Sequence, residues 1–162
     1  MPGMRTLPMI AILLGAAGLI PFVGASLGAV AFQGDLATRS LLALQAYAAL
    51  ILAFLGGVHW GIGLDVGINQ SERTQRLRFG LGVVPSLVGW AAMLVTFVGL
   101  PLVGLAMLAA GFIGLTIVEA RGTSAGLVPR PYMALRWGLS TVVILCLVSV
   151  LIVLAFGGRV VL

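Results

Sequence analysis

The sequence predicts an all-α integral membrane protein, a bundle of five transmembrane helices with the N-terminus in the cytoplasm and the C-terminus outside. Two observations predict this class. Of the 162 residues, 61% are apolar and 8% are charged, and the mean hydropathy is +1.23, which is outside the range of soluble domains. The nine arginines stand at the boundaries of long uncharged runs, where cations meet lipid headgroups.

The uncharged runs are long enough to form five membrane spans. The first, 7–32, would extend about 39 Å as a helix, more than the roughly 30 Å of bilayer hydrocarbon. The run from Phe79 to Val118 has 40 residues, about 60 Å of helix, so it must hold two spans. Gly99 and Pro101 mark the break, because glycine suits a helix end and proline a helix start. The predicted spans, in one domain covering 1–162, are 7–32, 41–64, 79–98, 101–119 and 137–156.

The first run also has the features of a cleaved signal peptide. Arg5 would be its charged start, Leu7 to Ile20 its apolar core and Val23 to Ala25 its cleavage site. Because the apolar run continues unbroken past that site to Ala31, we expect it to be a transmembrane span.

The segments between the runs are predicted to be polar connections. Gln33 to Arg39 is a short turn, and residues 65–78 are a loop in water or headgroups. In 122–136, Pro129 and Pro131 disfavour a regular helix.

The arginines predict the orientation of the bundle. Five spans place the N-terminus and the second and fourth connections on one side, which has seven arginines, whereas Arg39 and Arg159 lie on the other side. Because an excess of positive charge marks cytoplasmic segments, the seven-arginine side is predicted to be cytoplasmic. The seven are Arg5, Arg73, Arg76, Arg78, Arg121, Arg130 and Arg136.

Composition and motifs disfavour several classes of function. The net charge of +5 would suggest a nucleic-acid partner if the arginines formed a patch, but they are spread over the span boundaries. Cys146 is the only cysteine, so the chain cannot form an internal disulfide or a thiolate metal cluster. We recognise no serine triad, paired catalytic carboxylates or phosphate-binding loop. We therefore expect no metal, cofactor or nucleic acid, and the pattern disfavours an enzyme.

Glycines in two spans predict close helix packing. Gly57 and Gly61 form a Gly-x-x-x-Gly step beside Gly56, and Gly24 and Gly28 form another. Such steps let a second backbone approach closely. We expect these five glycines to pack helices within the bundle, and a dimer interface is the alternative.

His59 is the one histidine of the sequence and lies inside the second predicted span, away from its end. Six residues before Asp65, it would lie about 9 Å below the membrane boundary. A neutral histidine hydrogen-bonded between helices is the simpler interpretation, and a proton-handling or ligand-contacting imidazole is the alternative. Charged residues at the same side either converge around His59 or are separate anchors at headgroup level. The candidate polar site comprises His59, Trp60, Asp65, Arg78, Glu119 and Arg136.

Three segments resemble a known family. They are Gly-Leu-Ile-Pro-Phe at 18–22, Phe-Leu-Gly-Gly-Val-His-Trp-Gly at 54–61 and Pro-Tyr-Met-Ala-Leu-Arg at 131–136. The chain resembles the transmembrane protein 69-like family, a domain of unknown function. The resemblance implies a small polytopic protein of bacterial inner membranes and, in relatives, of mitochondria, but it implies no activity.

The leading hypothesis is a non-enzymatic bundle of the bacterial inner membrane that binds a lipid or apolar ligand, or supports a larger membrane complex. Its expected partners are the lipid bilayer and other membrane proteins. The alternative is a small solute or ion transporter or channel with His59 near its cytoplasmic mouth. A membrane enzyme that uses His59 with Glu119 or Asp65 ranks third.

Overall fold

The computed structural model describes residues 8–64, 72–123 and 130–157. Within these ranges the chain is helical and has five spans long and apolar enough to cross a membrane. The first span, Met9–Ala31, consists of two successive helices. The helices are α1 Met9–Ala17, α2 Leu19–Ala31, α3 Asp35–Gly63, α4 Glu72–Phe97, α5 Pro101–Gly122 and α6 Arg130–Gly157.

The break between α1 and α2 lies at Gly18, three residues before Pro21. Proline has no backbone N–H to donate and its ring crowds the preceding turn, so carbonyl groups one turn earlier lose their helical partners. The carbonyl of Gly18 accepts a hydrogen bond from the Tyr47 hydroxyl at 3.0 Å. The break in the first span is therefore held against α3 by a hydrogen bond.

Three helices begin earlier than the apolar runs predict. The predicted turn at 33–39 is wrong from Asp35 onward, where α3 already begins and Arg39 pairs with Asp35 at 2.8 Å. The predicted loop at 65–78 is wrong from Glu72, where α4 begins. α6 begins at Arg130, and Pro131 is tolerated there because a first-turn residue needs no N–H partner. An apolar run marks the part of a helix inside lipid, not the whole helix.

The tight hairpin predicted between the third and fourth spans is present. α4 ends at Phe97 and α5 begins at Pro101. Gly99 has a φ of +87°, a left-handed conformation that glycine adopts without steric cost. Its neighbour Leu100 donates from its N–H to the carbonyl of Val95 at 3.1 Å, which closes the end of α4.

The spans pack as a closed ring. α2 packs on α3, α3 on α4, α4 on α5, α5 on α6, and α6 returns to α2, while α3 also contacts α5 across the ring. The middle is filled by large apolar side chains. Phe22 packs edge-on against Tyr47 and Phe112, with ring centroids 5.0 and 6.1 Å apart. Buried leucines surround these rings, among them Leu44, Leu52, Leu105, Leu108 and Leu147.

Only two of the five glycines predicted to pack helices do so. A Cβ on Gly56 would lie 2.7 Å from the carbonyl oxygen of Gly82, and one on Gly28 would lie 3.0 Å from the Cβ of Ser40. The prediction is wrong for Gly24, Gly57 and Gly61, which are exposed and where a Cβ would meet no atom within 4 Å. Neighbouring residues point about 100° apart around a helix, so Gly56 faces α4 and Gly57 faces outward.

The two ends of the bundle differ in charge. α3 and α5 end, and α4 and α6 begin, at the end that we call the arginine-rich end. Its described arginines are Arg73, Arg76, Arg78, Arg121, Arg130 and Arg136, whereas Arg39 lies at the opposite end, near the start of α3.

Candidate functional site

A buried trio of polar side chains joins three helices at the arginine-rich end. His59 on α3 and Glu119 on α5 are hydrogen-bonded, with 2.9 Å between His59 Nε2 and Glu119 Oε1. Arg136 on α6 donates from Nε to Glu119 Oε2 at 2.7 Å. His59 and Glu119 are fully buried, and Arg136 is 4% exposed. Glu119 is the centre of the trio, because its two oxygens bind different helices.

Helix geometry explains why these residues meet. His59 is four residues before the end of α3, about 6 Å along the axis, and Glu119 is three residues before the end of α5, about 4.5 Å. Arg136 is six residues into α6, about 9 Å. Since these three helix ends lie on one side of the ring, the side chains converge just below the end of the bundle.

The partners decide the hydrogen-bonding roles. Glu119 is paired with a guanidinium, so its carboxyl is an ionised acceptor. His59 Nε2 must then donate its N–H to Oε1. In a neutral ring, Nδ1 is then the nitrogen without a proton. With His59 neutral, the charges of Glu119 and Arg136 cancel. A neutral, internally bonded trio is the form in which a bilayer best tolerates such groups.

Two further side chains of α6 extend the polar site. Ser140 is buried and accepts a hydrogen bond from Arg136 Nη1 at 2.6 Å. The Tyr132 hydroxyl is buried one helical turn before Arg136, within electrostatic range of both Arg136 and Glu119. Three atoms of this cluster have no hydrogen-bond partner among the described residues, namely His59 Nδ1, Arg136 Nη2 and the Tyr132 hydroxyl.

Trp60 and Arg78, also part of the predicted site, lie near the end of α3 and the start of α4. Trp60 is 43% exposed and packs edge-on against Phe79 at 5.3 Å, donating from its ring N–H to the Phe79 carbonyl at 3.3 Å. Arg78 is buried near the start of α4, 2% exposed, which corrects its predicted place in a loop in water or headgroups. A Cβ on Gly63 would lie 3.8 Å from the Cβ of Arg78, so Arg78 adjoins the end of α3. Asp65 lies outside the described residues.

Some polar residues of the interior were not predicted. Ser140 and Tyr132 are common in apolar helices, although their spacing of four from Arg136 places them on its face. Gln45 is fully buried in the other half of α3 and donates to the Pro101 carbonyl at 2.7 Å. An amide within a long uncharged run was the available signal for Gln45. Gly82 was also missed; it accommodates both Gly56 and the Trp60 ring.

The trio is a sealed polar cluster in this structure. Two cavities lie elsewhere: a groove of about 690 Å³ along α4 and a smaller one of about 270 Å³ between the α2–α3 turn and α6. Within the described ranges, no three histidine, cysteine or acidic side chains gather in a way that could hold a metal ion. The chemistry that the trio itself supports is hydrogen bonding and the holding of a proton on His59.

The sequence of the whole bundle decides the family. Residues 7–152, which include the trio, the first four spans and most of the fifth, match the family model described as "Protein of unknown function (DUF3429)". The chain belongs to the DUF3429 family. This DUF3429 chain is 37% identical over 91 residues to Transmembrane protein 69 of Xenopus tropicalis, a match that covers 56% of the chain and 35% of that protein. The predicted resemblance is therefore confirmed.

The DUF3429 chain spans about a third of the length of the curated relative that it matches. No solved structure matches it. The family and the relative's name show a membrane protein, in agreement with the five apolar spans. They name no activity.

Proposed function

We propose that this DUF3429 protein is a non-enzymatic bundle of the bacterial inner membrane that acts by binding at its lipid-facing surface. It either holds a lipid or apolar ligand, or supports a larger membrane assembly. One observation carries the proposal: the side chains of the described interior pack against and bond to one another. Aromatic and leucine side chains fill its middle, and the charged groups of the trio bond to one another.

The outer face of α3 supports the binding role. Gly57 and Gly61 are exposed, and the space beside each is open. In lipid, helices associate through close backbone packing, and small side chains permit it. Gly56 already provides this approach within the bundle, so the two outward glycines are the ones available to another membrane helix or to lipid.

Purification in a mild detergent, with identification of the lipids and proteins that remain bound, tests the proposal. A photo-crosslinking residue at Gly57 then locates the contact, and Gly114 is the matched control, because it is an exposed glycine with the same open space on α5. A support role predicts a discrete protein adduct from Gly57 and bulk lipid adducts from Gly114. Purified protein without a bound lipid or partner, with bulk lipid adducts at both positions, would contradict the proposal.

A small transporter or channel is the second candidate, favoured by the unpartnered atoms of the trio. His59 Nδ1 and Arg136 Nη2 are buried polar atoms that could contact a proton or solute at the arginine-rich end. In this case, the purified protein in vesicles should raise proton flux, followed with an enclosed pH-sensitive dye, above that of empty vesicles.

His59→Gln separates the two candidates. The glutamine amide can still donate to Glu119, so folded yield should remain close to that of the unmodified protein. His59→Leu removes that bond and should cost about 1 kcal/mol of stability. A binding protein should show no flux before or after the change. Flux that is present in the unmodified protein and lost in folded His59→Gln would establish the transporter and overturn the binding proposal.

A further inference from the structure

The groove along α4 has a charged part followed by an apolar part, the same order as the headgroup and acyl chains of a phospholipid. Its volume is about 690 Å³, and its described lining comes from the first half of α4. Charged residues come first, and an apolar floor follows toward the middle of the membrane. The lining residues are Glu72, Arg73, Arg76, Leu77, Gly80, Leu81 and Val84. From Glu72 to Val84 the helix rises about 18 Å, slightly more than half the roughly 30 Å hydrocarbon thickness.

The charged part of the groove is complementary to an anion. Arg73 and Arg76 contribute two guanidinium groups, whereas Glu72 is the one acid among the described lining residues. Arg76 and Glu72 are 3.4 Å apart with side chains 84% and 88% exposed, and such a solvated pair is weak. A phosphate can accept paired hydrogen bonds from guanidinium groups. The positive end of the α4 dipole lies on the same side.

The apolar part of the groove has room for an acyl chain. Gly80 is exposed, and a Cβ there would meet no atom within 4 Å. Leu77 and Val84 are exposed in the same lining, and Leu81 is half-buried beside them. Because Gly80 serves no packing contact within the bundle, its open space is available to a molecule from the bilayer.

We propose that this groove binds an anionic phospholipid, with the phosphate at Arg73 and Arg76 and an acyl chain along Leu77 to Val84. The inference rests on the proposed function, binding at the lipid-facing surface, and it names one ligand and its place. Two arginines at headgroup level distinguish such a lipid from a zwitterionic one, because they leave a net positive charge for the headgroup.

Binding of phosphatidylglycerol and phosphatidylcholine to the full chain in detergent, measured by native mass spectrometry, tests the headgroup contact. Arg73→Gln with Arg76→Gln should weaken phosphatidylglycerol binding on the order of tenfold and abolish the preference over phosphatidylcholine. Arg39→Gln is the matched control, because Arg39 also pairs with an acid four residues away at similar exposure, but at the opposite end. It should leave both affinities unchanged.

Gly80→Leu tests the acyl contact. It fills the groove without a clash, so the protein should elute as the unmodified one does but bind phosphatidylglycerol several-fold more weakly. Gly114→Leu, at an equally open glycine on α5, should change nothing. Full binding by folded Gly80→Leu would show capture of the phosphate alone and overturn the lipid site.

Equal binding of the two lipids, or an equal loss in Arg39→Gln, would overturn the inference as well. The proposed function stands or falls separately. A protein partner or another lipid recovered from the mild-detergent preparation would support the proposed function even if the groove shows no preference.

Discussion

At the scale of single residues, the main feature is a buried carboxylate near one end of the bundle, whose two oxygens bind side chains of two other helices. A buried charge is costly in a membrane unless it is paired and hydrogen-bonded. Glu119 meets this condition through His59 at 2.9 Å and Arg136 at 2.7 Å. The trio therefore fixes how α3, α5 and α6 meet, since any shift of one end would break a bond that the lipid cannot replace.

Glu119→Gln tests this interdependence. The change leaves the Arg136 guanidinium buried without a counter-charge, so we expect a loss of about 3 kcal/mol and a lower thermal midpoint in detergent. Arg136→Gln should act similarly by leaving the carboxylate unpaired. The double variant should recover part of the loss, because it removes both charges together.

Glu72→Gln is the control for the trio variants, because Glu72 is an exposed acid, and it should change the midpoint little. Midpoints can be followed by size-exclusion chromatography after heating. If the double variant lost as much stability as the sum of the single ones, the charges of Glu119 and Arg136 would not be coupled, and the trio would not fix how the helices meet.

The sequence could predict part of the trio and not the rest. His59, Glu119 and Arg136 are visible because titratable groups interrupt apolar runs near one boundary. Which of them bond to each other depends on how each helix is rotated about its axis, and the apolar pattern does not encode this when lipid and core are both apolar. Arg78 illustrates the difficulty, since it belongs to the polar stretch 65–78 of the sequence but its side chain is buried.

At the scale of helices, the length of each uncharged run predicts a span. The close contacts between helices depend on individual glycines. Long uncharged runs predicted five spans, but underestimated α3, α4 and α6 by several residues at their starts. Water and headgroups do not end a helix, so polar first turns such as Asp35 to Arg39 continue it. Glycine spacing did not reveal which glycines face a neighbour, because a Gly-Gly pair presents one residue inward and one outward.

Gly56→Leu and Gly57→Leu form a matched pair at this scale. At Gly56 the new side chain would begin 2.7 Å from the Gly82 carbonyl oxygen, so α3 and α4 must separate, at a cost of about 1–3 kcal/mol. We expect a clearly lower yield of folded protein in detergent. At Gly57 the side chain enters open space, and the yield should stay near that of the unmodified protein. Equal yields would place the close contact of α3 elsewhere.

At the scale of the whole molecule, the ring of helices separates charge between its two ends. Arg73, Arg76 and Arg121 lie at one end, and Arg39 lies at the other. Arg78 and Arg136 are buried in the bundle, so their charge is engaged with the protein and reports less on the bilayer side. Even without these two, the order of the five spans predicts five arginines of the sequence on one side, against Arg39 and Arg159 on the other.

This bias predicts that the arginine-rich end faces the cytoplasm. Reporters placed after Arg5 or between Asn69 and Ser71 should therefore read cytoplasmic, and one after Leu162 should read outside, with a fluorescent protein and a secreted phosphatase as the paired readouts. Termini on the same side would contradict five spans, whereas a reversed pair would contradict only the assignment from charge.

Replacing Arg73, Arg76 and Arg121 by glutamine lowers the count of arginines on this side from five to two, equal to the opposite end. Since short-loop arginines set orientation, that variant should insert in both directions, while Gln replacements at Arg78 and Arg136 should lower stability and leave the orientation unchanged.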